Sequence, residues 1–140
     1  EVITVPYTWI STAEVITLLG AKPIFIDIRK DTFCMDESLI EDAITKKTKA
    51  IMPVYFSGHV GDIENIYKFA KINKIRVVED AAHAFGSTHK GKKIGSFGDI
   101  TCFSFDGIKN ILPLRWNKKS KAKKKKNACC GHRRQGHCCQ

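Results

Sequence analysis

The chain has 140 residues, of which 43% are hydrophobic and 27% charged, and its formal net charge is +10. This composition excludes a disordered chain, a collagen and a coiled coil, and the length corresponds to one domain. No apolar run reaches the ~18 to 20 residues of a membrane span, and no basic segment precedes an apolar one as in a secretory signal. We therefore expect a cytoplasmic location and no membrane contact.

The net charge is distributed unevenly along the chain. Residues 1–111 hold 14 basic and 14 acidic side chains, whereas residues 112–140 hold 10 basic side chains and no acid. Four of the six cysteines also lie in this second segment. The sequence therefore predicts two parts, an electrically neutral part at 1–111 and a basic, Cys- and Lys-rich tail at 112–140.

The first half of the neutral part predicts strands that alternate with helices. A β-branched strand at residues 2–5 stops at Pro6. Ser11 or Thr12 is expected to cap a helix that Gly20 ends, with its apolar residues on one face. A second strand follows at 23–28, and then a helix that Asp36 caps.

The second half continues the alternation. An apolar strand at 50–55 precedes a helix capped by Asp62, and a further strand runs from residue 75 to Asp80. Residues 90–93 resemble a hairpin turn, and a last strand is predicted at 99–105. Such alternation predicts an α/β fold with a largely parallel sheet covered on both faces, and ligands of such sheets bind at the carboxyl ends of the strands.

Two charged residues at predicted strand ends are candidates for chemistry. Lys109 follows an apolar strand and could act as a nucleophile toward carbonyls, or it could be an ordinary solvated lysine. Asp80 ends a strand and could bind a metal, a ribose hydroxyl or a protonated ring nitrogen. Its alternative role is a helix cap or a local turn bond.

Three further residues have a functional and a structural interpretation. Ser104 could bind a phosphate, although a serine bonded to the backbone is more common. Trp9 could stack on a ring or pack as part of a core or lid. His83 could contact a ligand beside Asp80 or make a structural hydrogen bond. Residues 1–111 contain no CxxC metal motif, no GxGxxG, no P-loop and no GxSxG.

Several blocks together resemble one family. Residues 79–86, 95–100 and 103–110 follow one another in the order and spacing of the DegT/DnrJ/StrS-type sugar aminotransferases, which are pyridoxal 5′-phosphate (PLP) enzymes of fold type I. Residues 6–13 and 20–27 are also similar to that family. The resemblance implies a partial three-layer αβα large domain, which covers nearly all of residues 1–111.

The resemblance implies a role for each candidate residue. Lys109 matches the lysine that holds PLP as a Schiff base, and Asp80 matches the carboxylate paired with the pyridine nitrogen. Ser104 matches a phosphate contact, Trp9 the aromatic residue on the ring, and His83 a residue near the phenolic oxygen. The implied reaction transfers an amino group from an amino acid, commonly glutamate, to a keto-sugar linked to a nucleotide, in a homodimeric enzyme. A related dehydratase branch has histidine in place of Lys109.

The chain departs from the family pattern at both ends. The family's opening Gly/Ser-Thr-Ala turn is absent, and after Ile111 a Lys-rich segment stands in place of the family's Gly-Glu-Gly-Gly-like stretch. We therefore expect a truncated or altered chain, the activity of which is an open question.

The tail has three possible interpretations. It could be a frameshifted or unrelated continuation, which its abrupt start and lack of acidic residues favour. It could be a basic arm that binds nucleic acid or other anions non-specifically, so that the chain is an inactive remnant. It could also hold a metal through Cys129, Cys130, His132, His137, Cys138 and Cys139, although the usual C-x₂₋₄-C spacing is absent.

Overall fold

The computed structural model describes residues 1–107 and residue 109. Seven strands are present in this part of the chain: β1 Val2–Thr4, β2 Pro23–Phe25, β3 Ala50–Ile51, β4 Arg76–Asp80, β5 Thr88–His89, β6 Lys92–Lys93 and β7 Ile100–Cys102. The α-helices are α1 Ile10–Leu18, α2 Ile40–Ala43 and α3 Ile63–Asn73, and 3₁₀ turns lie at Glu37–Leu39 and Phe56–Gly58. The predicted boundary at residue 111 and the basic tail lie outside the described residues.

Five of the strands form one parallel sheet in the order β2-β1-β3-β4-β7. Each neighbouring pair is parallel, and Ile3 of β1 stands opposite Ile24 on one side and Ile51 on the other. The predicted α/β fold with a parallel sheet is confirmed. β5 and β6 form a separate antiparallel hairpin, as predicted, with the positive φ angles of Lys90 and Gly91 at its turn.

The direction of the crossovers places the helices on both faces of the sheet. The chain moves one way along the sheet from β1 to β2, and the opposite way from β2 to β3 and from β3 to β4. Right-handed crossovers therefore put α1 on one face and α2 and α3 on the other, and α2 and α3 are in contact. The order of the strands reverses between β1 and β3, which is where open α/β sheets bind ligands.

The core lies between the sheet and α3. Ile51 and Val77 are buried on β3 and β4, and Ile63, Ile66 and Ala70 are buried on the facing side of α3. Full burial of each isoleucine contributes ~1.5–3 kcal/mol relative to exposure. The predicted cap of this helix is also present, because the Asp62 carboxylate accepts a hydrogen bond from the Asn65 N–H at 3.2 Å.

The first helix differs from its prediction. Neither Ser11 nor Thr12 caps α1: its N-cap residue is Trp9, which makes no side-chain cap bond. The apolar residues expected on one buried face are also split, since Ile16 is buried whereas Leu18 is 84% exposed. Apolar and polar residues are mixed on every side of this helix, so its sequence could not indicate which side faces the sheet. Gly20 follows the last turn with φ +72°, as expected of a glycine that ends a helix.

Several predicted elements are shorter than expected, and the strands predicted at 23–28 and 99–105 are regular only at Pro23–Phe25 and Ile100–Cys102. The strand at 50–55 is regular only at Ala50–Ile51, and pairing resumes as one bridge between Val54 and Asp80. Pro53 interrupts it because a proline has no N–H to donate to the ladder. The helix after Asp36 is a 3₁₀ turn followed by the four residues of α2. Among the described residues, no helix combines the length and the apolar character needed to cross a bilayer.

Candidate functional site

Loops at the carboxyl edge of the sheet enclose two adjoining cavities. The first has a volume of about 510 Å³ and lies between the start of α1, the end of β4 and the segment after β7. The second has a volume of about 350 Å³ and is lined by the loops that follow β1 and β3. Trp9, Asp80 and Lys109 line both cavities, so one ligand could contact all three residues while extending into either space.

Asp80 is fixed at the end of β4 by its backbone and by its side chain. Its N–H donates to the Pro53 carbonyl and its carbonyl accepts from the Tyr55 N–H, both at 2.9 Å. One carboxylate oxygen, Oδ2, accepts from the Thr12 hydroxyl at 2.7 Å, and Oδ1 accepts from the Ala82 N–H at 3.1 Å. A carboxylate has about four acceptor positions, so Asp80 can still accept a hydrogen bond from a cationic N–H in the cavity.

Lys109 extends from the turn after β7 toward β4. Its backbone N–H donates to the Asp106 carbonyl at 2.9 Å, which closes the turn. Its Nζ lies 2.9 Å from Nε2 of His83. With the lysine as an ammonium, Nζ donates and His83 carries its proton on Nδ1. The amine is thus held at the cavity wall, half-buried, with an imidazole nitrogen in direct contact.

Trp9 and Ser104 lie at other parts of the first cavity. Trp9 immediately precedes α1 and is 72% exposed, so its ring is available to a ligand. Cys102 ends β7, Ser104 lies two residues beyond it, and both line this cavity.

The second cavity has an aromatic wall. The rings of Tyr7 and Phe56 lie 4.9 Å apart, and Phe33 packs against both at 5.7 and 5.9 Å. Phe56 also presents an edge contact to His83 at 6.1 Å. Tyr7 and Phe56 line the second cavity and give the space next to Lys109 a mainly apolar surface, which suits a ring-shaped ligand with an apolar face.

A buried carboxylate lies behind the site, on the other face of β4 from Asp80. Glu79 is fully buried, and its two oxygens accept from the hydroxyls of Tyr67 at 2.7 Å and Thr101 at 2.6 Å. Burial, and secondarily the nearby Glu79, raise the pKa of the Tyr67 phenol, so this hydroxyl keeps its proton and donates. The contacts join α3, β4 and β7 directly beneath Asp80.

All five residues singled out in the sequence line these two cavities: Trp9, Asp80, His83, Ser104 and Lys109. Their roles remain predictions. Sequence reasoning missed the contact between Thr12 and Asp80, because it treated Thr12 as a candidate helix cap. The only signal was a threonine near a predicted helix start, and this pattern indicates a cap far more often than a contact with a distant carboxylate.

The described residues contain no cluster of three or more side chains suited to a metal ion. The cysteines and histidines proposed as metal ligands in the tail lie outside that part of the chain.

Comparison with known proteins identifies relatives of the whole described region. The family described as the DegT/DnrJ/EryC1/StrS aminotransferase family matches residues 1–113. The chain is 50% identical over 112 residues to the UDP-4-amino-4-deoxy-L-arabinose–oxoglutarate aminotransferase of Shewanella sediminis, a match that covers 79% of this chain and 28% of that protein.

Solved structures share the fold. Helicobacter pylori PseC, an aminotransferase involved in the biosynthesis of pseudoaminic acid, matches with a TM-score of 0.76 and 33% identity, over 79% of this chain and 30% of that chain. Bacillus subtilis NtdA with bound cofactor PMP matches with a TM-score of 0.72 and 36% identity, over 79% and 25% of the two chains. The chain thus spans less than a third of the length of these relatives.

Proposed function

Because this chain belongs to the DegT/DnrJ/EryC1/StrS aminotransferase family, we propose that it carries a PLP site for amino-group transfer to a nucleotide-linked keto-sugar. The observation that carries this proposal is the convergence of Lys109, Asp80 and Trp9 on one cavity of about 510 Å³. The sequence separates these residues widely, and the parallel sheet brings them to one edge.

The donor set of the cavity fits PLP. Lys109 would hold the cofactor covalently through Nζ, and Asp80 has acceptor positions left for a protonated pyridine nitrogen. Trp9 is exposed toward the cavity and would cover one face of the ring. Ser104 would donate its hydroxyl to the phosphate, and His83 would lie beside the phenolic oxygen, next to Lys109.

When bound, PLP supplies an electrophilic carbonyl and a ring that withdraws electrons from the substrate carbon. Asp80 supports this by keeping a negative charge where the ring nitrogen carries its proton. Lys109 Nζ would take the proton from the carbon of the amino acid and deliver it to the cofactor carbon, and it would carry the proton the opposite way when the keto-sugar accepts the amino group. His83 touches Nζ at 2.9 Å and holds the amine in position for both transfers. Over one cycle, the amino acid leaves as a 2-oxo acid and the keto-sugar leaves as an amino-sugar.

The sugar nucleotide and the glutamate donor belong to the same proposal. The Shewanella relative is named for a UDP-linked amino-sugar and for oxoglutarate, the oxo acid that glutamate becomes when it loses its amino group. The rings of Tyr7 and Phe56, which line the second cavity, support a sugar ring there, because aromatic rings pack well against the apolar face of a sugar.

Two further properties are proposed with the reaction. We propose a homodimer, in keeping with the 64% exposure of Ile10 and 84% exposure of Leu18 on α1, and sedimentation velocity would measure it. Finally, we propose a cytoplasmic location, which suits the free thiols of Cys34 and Cys102.

The first experiment tests cofactor attachment. The protein is mixed with PLP, its visible absorbance is recorded, and the complex is reduced with borohydride and mapped by peptide mass spectrometry. We expect the label on Lys109 and its loss in Lys109→Ala. Lys68→Ala, which changes an exposed lysine on α3, is the matched control and should keep the label. An equal label in Lys109→Ala and the unchanged protein would refute the proposed site.

A second experiment tests the reaction. The protein is incubated with PLP, glutamate and a panel of UDP- and TDP-linked keto-sugars, and release of 2-oxoglutarate is measured. Turnover with a keto-sugar and none with Lys109→Ala supports the full proposal. PLP attachment without turnover on any sugar of the panel would contradict the proposed substrate class for this chain while leaving the cofactor site in place.

A further inference from the structure

We propose that Thr12 is a positioning residue that orients the Asp80 carboxylate toward the cofactor ring. This inference rests on the proposed function, because the ring nitrogen is the group that Asp80 would meet. It assigns a purpose to a buried hydroxyl that a helix cap does not explain.

The contact between Thr12 and Asp80 fixes the plane of the carboxylate. Thr12 is 4% exposed, and its hydroxyl donates to Oδ2 at 2.7 Å. The Ala82 N–H donates to the other oxygen at 3.1 Å. With a donor on each oxygen, the side chain cannot rotate without breaking a hydrogen bond to a charged group. The remaining acceptor positions of Asp80 therefore keep one direction in the cavity.

A second hydroxyl extends this arrangement and has a defined direction. The Thr8 and Thr12 hydroxyl oxygens lie 2.9 Å apart. Each hydroxyl has one proton, and Thr12 donates its proton to a carboxylate, which accepts only. Thr8 must therefore be the donor to Thr12, so the hydrogen bonds run from Thr8 to Thr12 and from Thr12 to Asp80. A hydroxyl that accepts a hydrogen bond becomes a stronger donor, so Thr8 strengthens the bond that Thr12 makes.

The hydrogen bonds of Thr8 and Thr12 also hold Trp9 in place, which is the residue proposed to cover the cofactor ring. Trp9 lies between Thr8 and Thr12 in sequence, and the Thr12 N–H donates to its carbonyl at 3.1 Å. The turn that presents the indole is thereby tied to the carboxylate of β4. Trp9, over the ring face, and Asp80, at the ring nitrogen, then keep a fixed relative position, although they are roughly 70 residues apart in the sequence.

The test compares four threonine variants, three of them in α1 and the fourth, Thr8→Val, just before it. Thr12→Val keeps the shape of the side chain and removes the hydroxyl, Thr12→Ser restores a hydroxyl, and Thr17→Val makes the same change at an exposed position where the hydroxyl bonds only to the Ala13 carbonyl. PLP affinity is measured from the visible absorbance. We expect the dissociation constant to rise about ten-fold in Thr12→Val. It should rise less in Thr8→Val and stay near the unchanged value in Thr12→Ser and Thr17→Val.

A second readout uses no cofactor. The side-chain carboxyl carbons of aspartate are labelled with ¹³C, and the Asp80 resonance is assigned by its loss in Asp80→Asn. Thr12→Val should move this resonance at fixed pH, whereas Thr17→Val should leave it in place. An unchanged Asp80 resonance, or a PLP affinity in Thr12→Val equal to that of Thr17→Val, would overturn the inference. Failure of the unchanged protein to bind PLP would contradict the proposed function instead, and the NMR comparison would then decide the contact alone.

Discussion

Tyr67 links α3 to the buried carboxylate of Glu79, and Tyr67→Phe removes only the linking hydroxyl. That hydroxyl donates to Glu79 Oε1 at 2.7 Å and accepts from the Asp99 N–H at 2.9 Å. Glu79 is fully buried, and its other oxygen accepts from the Thr101 hydroxyl at 2.6 Å. The substitution therefore leaves one oxygen of a buried carboxylate without its donor.

The expected loss of stability follows from these contacts. A hydrogen bond to a charged group contributes ~1.5–3 kcal/mol to stability. Because Tyr67→Phe leaves the buried Glu79 oxygen without its donor, we expect the loss of unfolding free energy to lie in that range. The Asp99 N–H is at an exposed residue, so water replaces its lost acceptor and adds little. We expect the free energy of unfolding to fall by about 2 kcal/mol, a large share of the ~5–15 kcal/mol typical of a domain.

Urea denaturation followed by circular dichroism measures this change. With a slope of ~1–3 kcal/mol/M, the midpoint should fall by about 1 M while the slope stays constant. Tyr7→Phe is the matched control, because Tyr7 is 45% exposed and its hydroxyl should matter little. A midpoint for Tyr67→Phe within error of that control would refute the idea that Glu79 depends on this hydroxyl.

Three further predictions concern neighbouring contacts. Gly98 has φ +94°, and a Cβ there would lie 2.6 Å from Glu79 Oε1, so Gly98→Ala should lower the unfolding free energy by about 2–4 kcal/mol in urea, and an unchanged midpoint would contradict this. The hydrogen bond from Arg76 lowers the pKa of Asp99, so its stabilisation is present above the unfolded pKa of about 3.9 and is lost as the pH falls below it. Asp99→Asn should therefore reduce the loss of urea midpoint between pH 7 and pH 3, and an equal loss would argue against this ion pair. Cys102 is exposed and lines the first cavity, so PLP should slow its alkylation by iodoacetamide several-fold, and equal rates would place the cofactor elsewhere.

Local features were predictable where neighbouring residues alone determine them. The period of apolar residues and the Asp62 cap predict α3, because one face of that helix is apolar and the other is polar. The Lys90-Gly91 turn predicts the hairpin, since glycine favours the positive φ that such turns require. Alternation of strands and helices likewise predicts a parallel sheet, since parallel neighbours need crossovers.

The boundaries and faces of α1 could not be predicted in this way. Apolar and polar residues are mixed on every side of this helix, so periodicity does not distinguish Ile16, which is buried, from Leu18, which is exposed. Thr12 has the residue type and position of a helix cap, yet its hydroxyl bonds to Asp80, which is 68 positions away. A sequence pattern contains no information about such a partner.

The sequence by itself determined which chemical groups this protein has available at strand ends: an amine, a carboxylate, an imidazole, a hydroxyl and an indole. The resemblance to a family assigned each of them an expected role. Only the tertiary structure decided that these groups share two adjoining cavities, that Lys109 touches His83, and that the Thr12 hydroxyl donates to Asp80. The physical reason is that strand order and crossover direction set which strand ends are neighbours, and these depend on burial across the whole sheet.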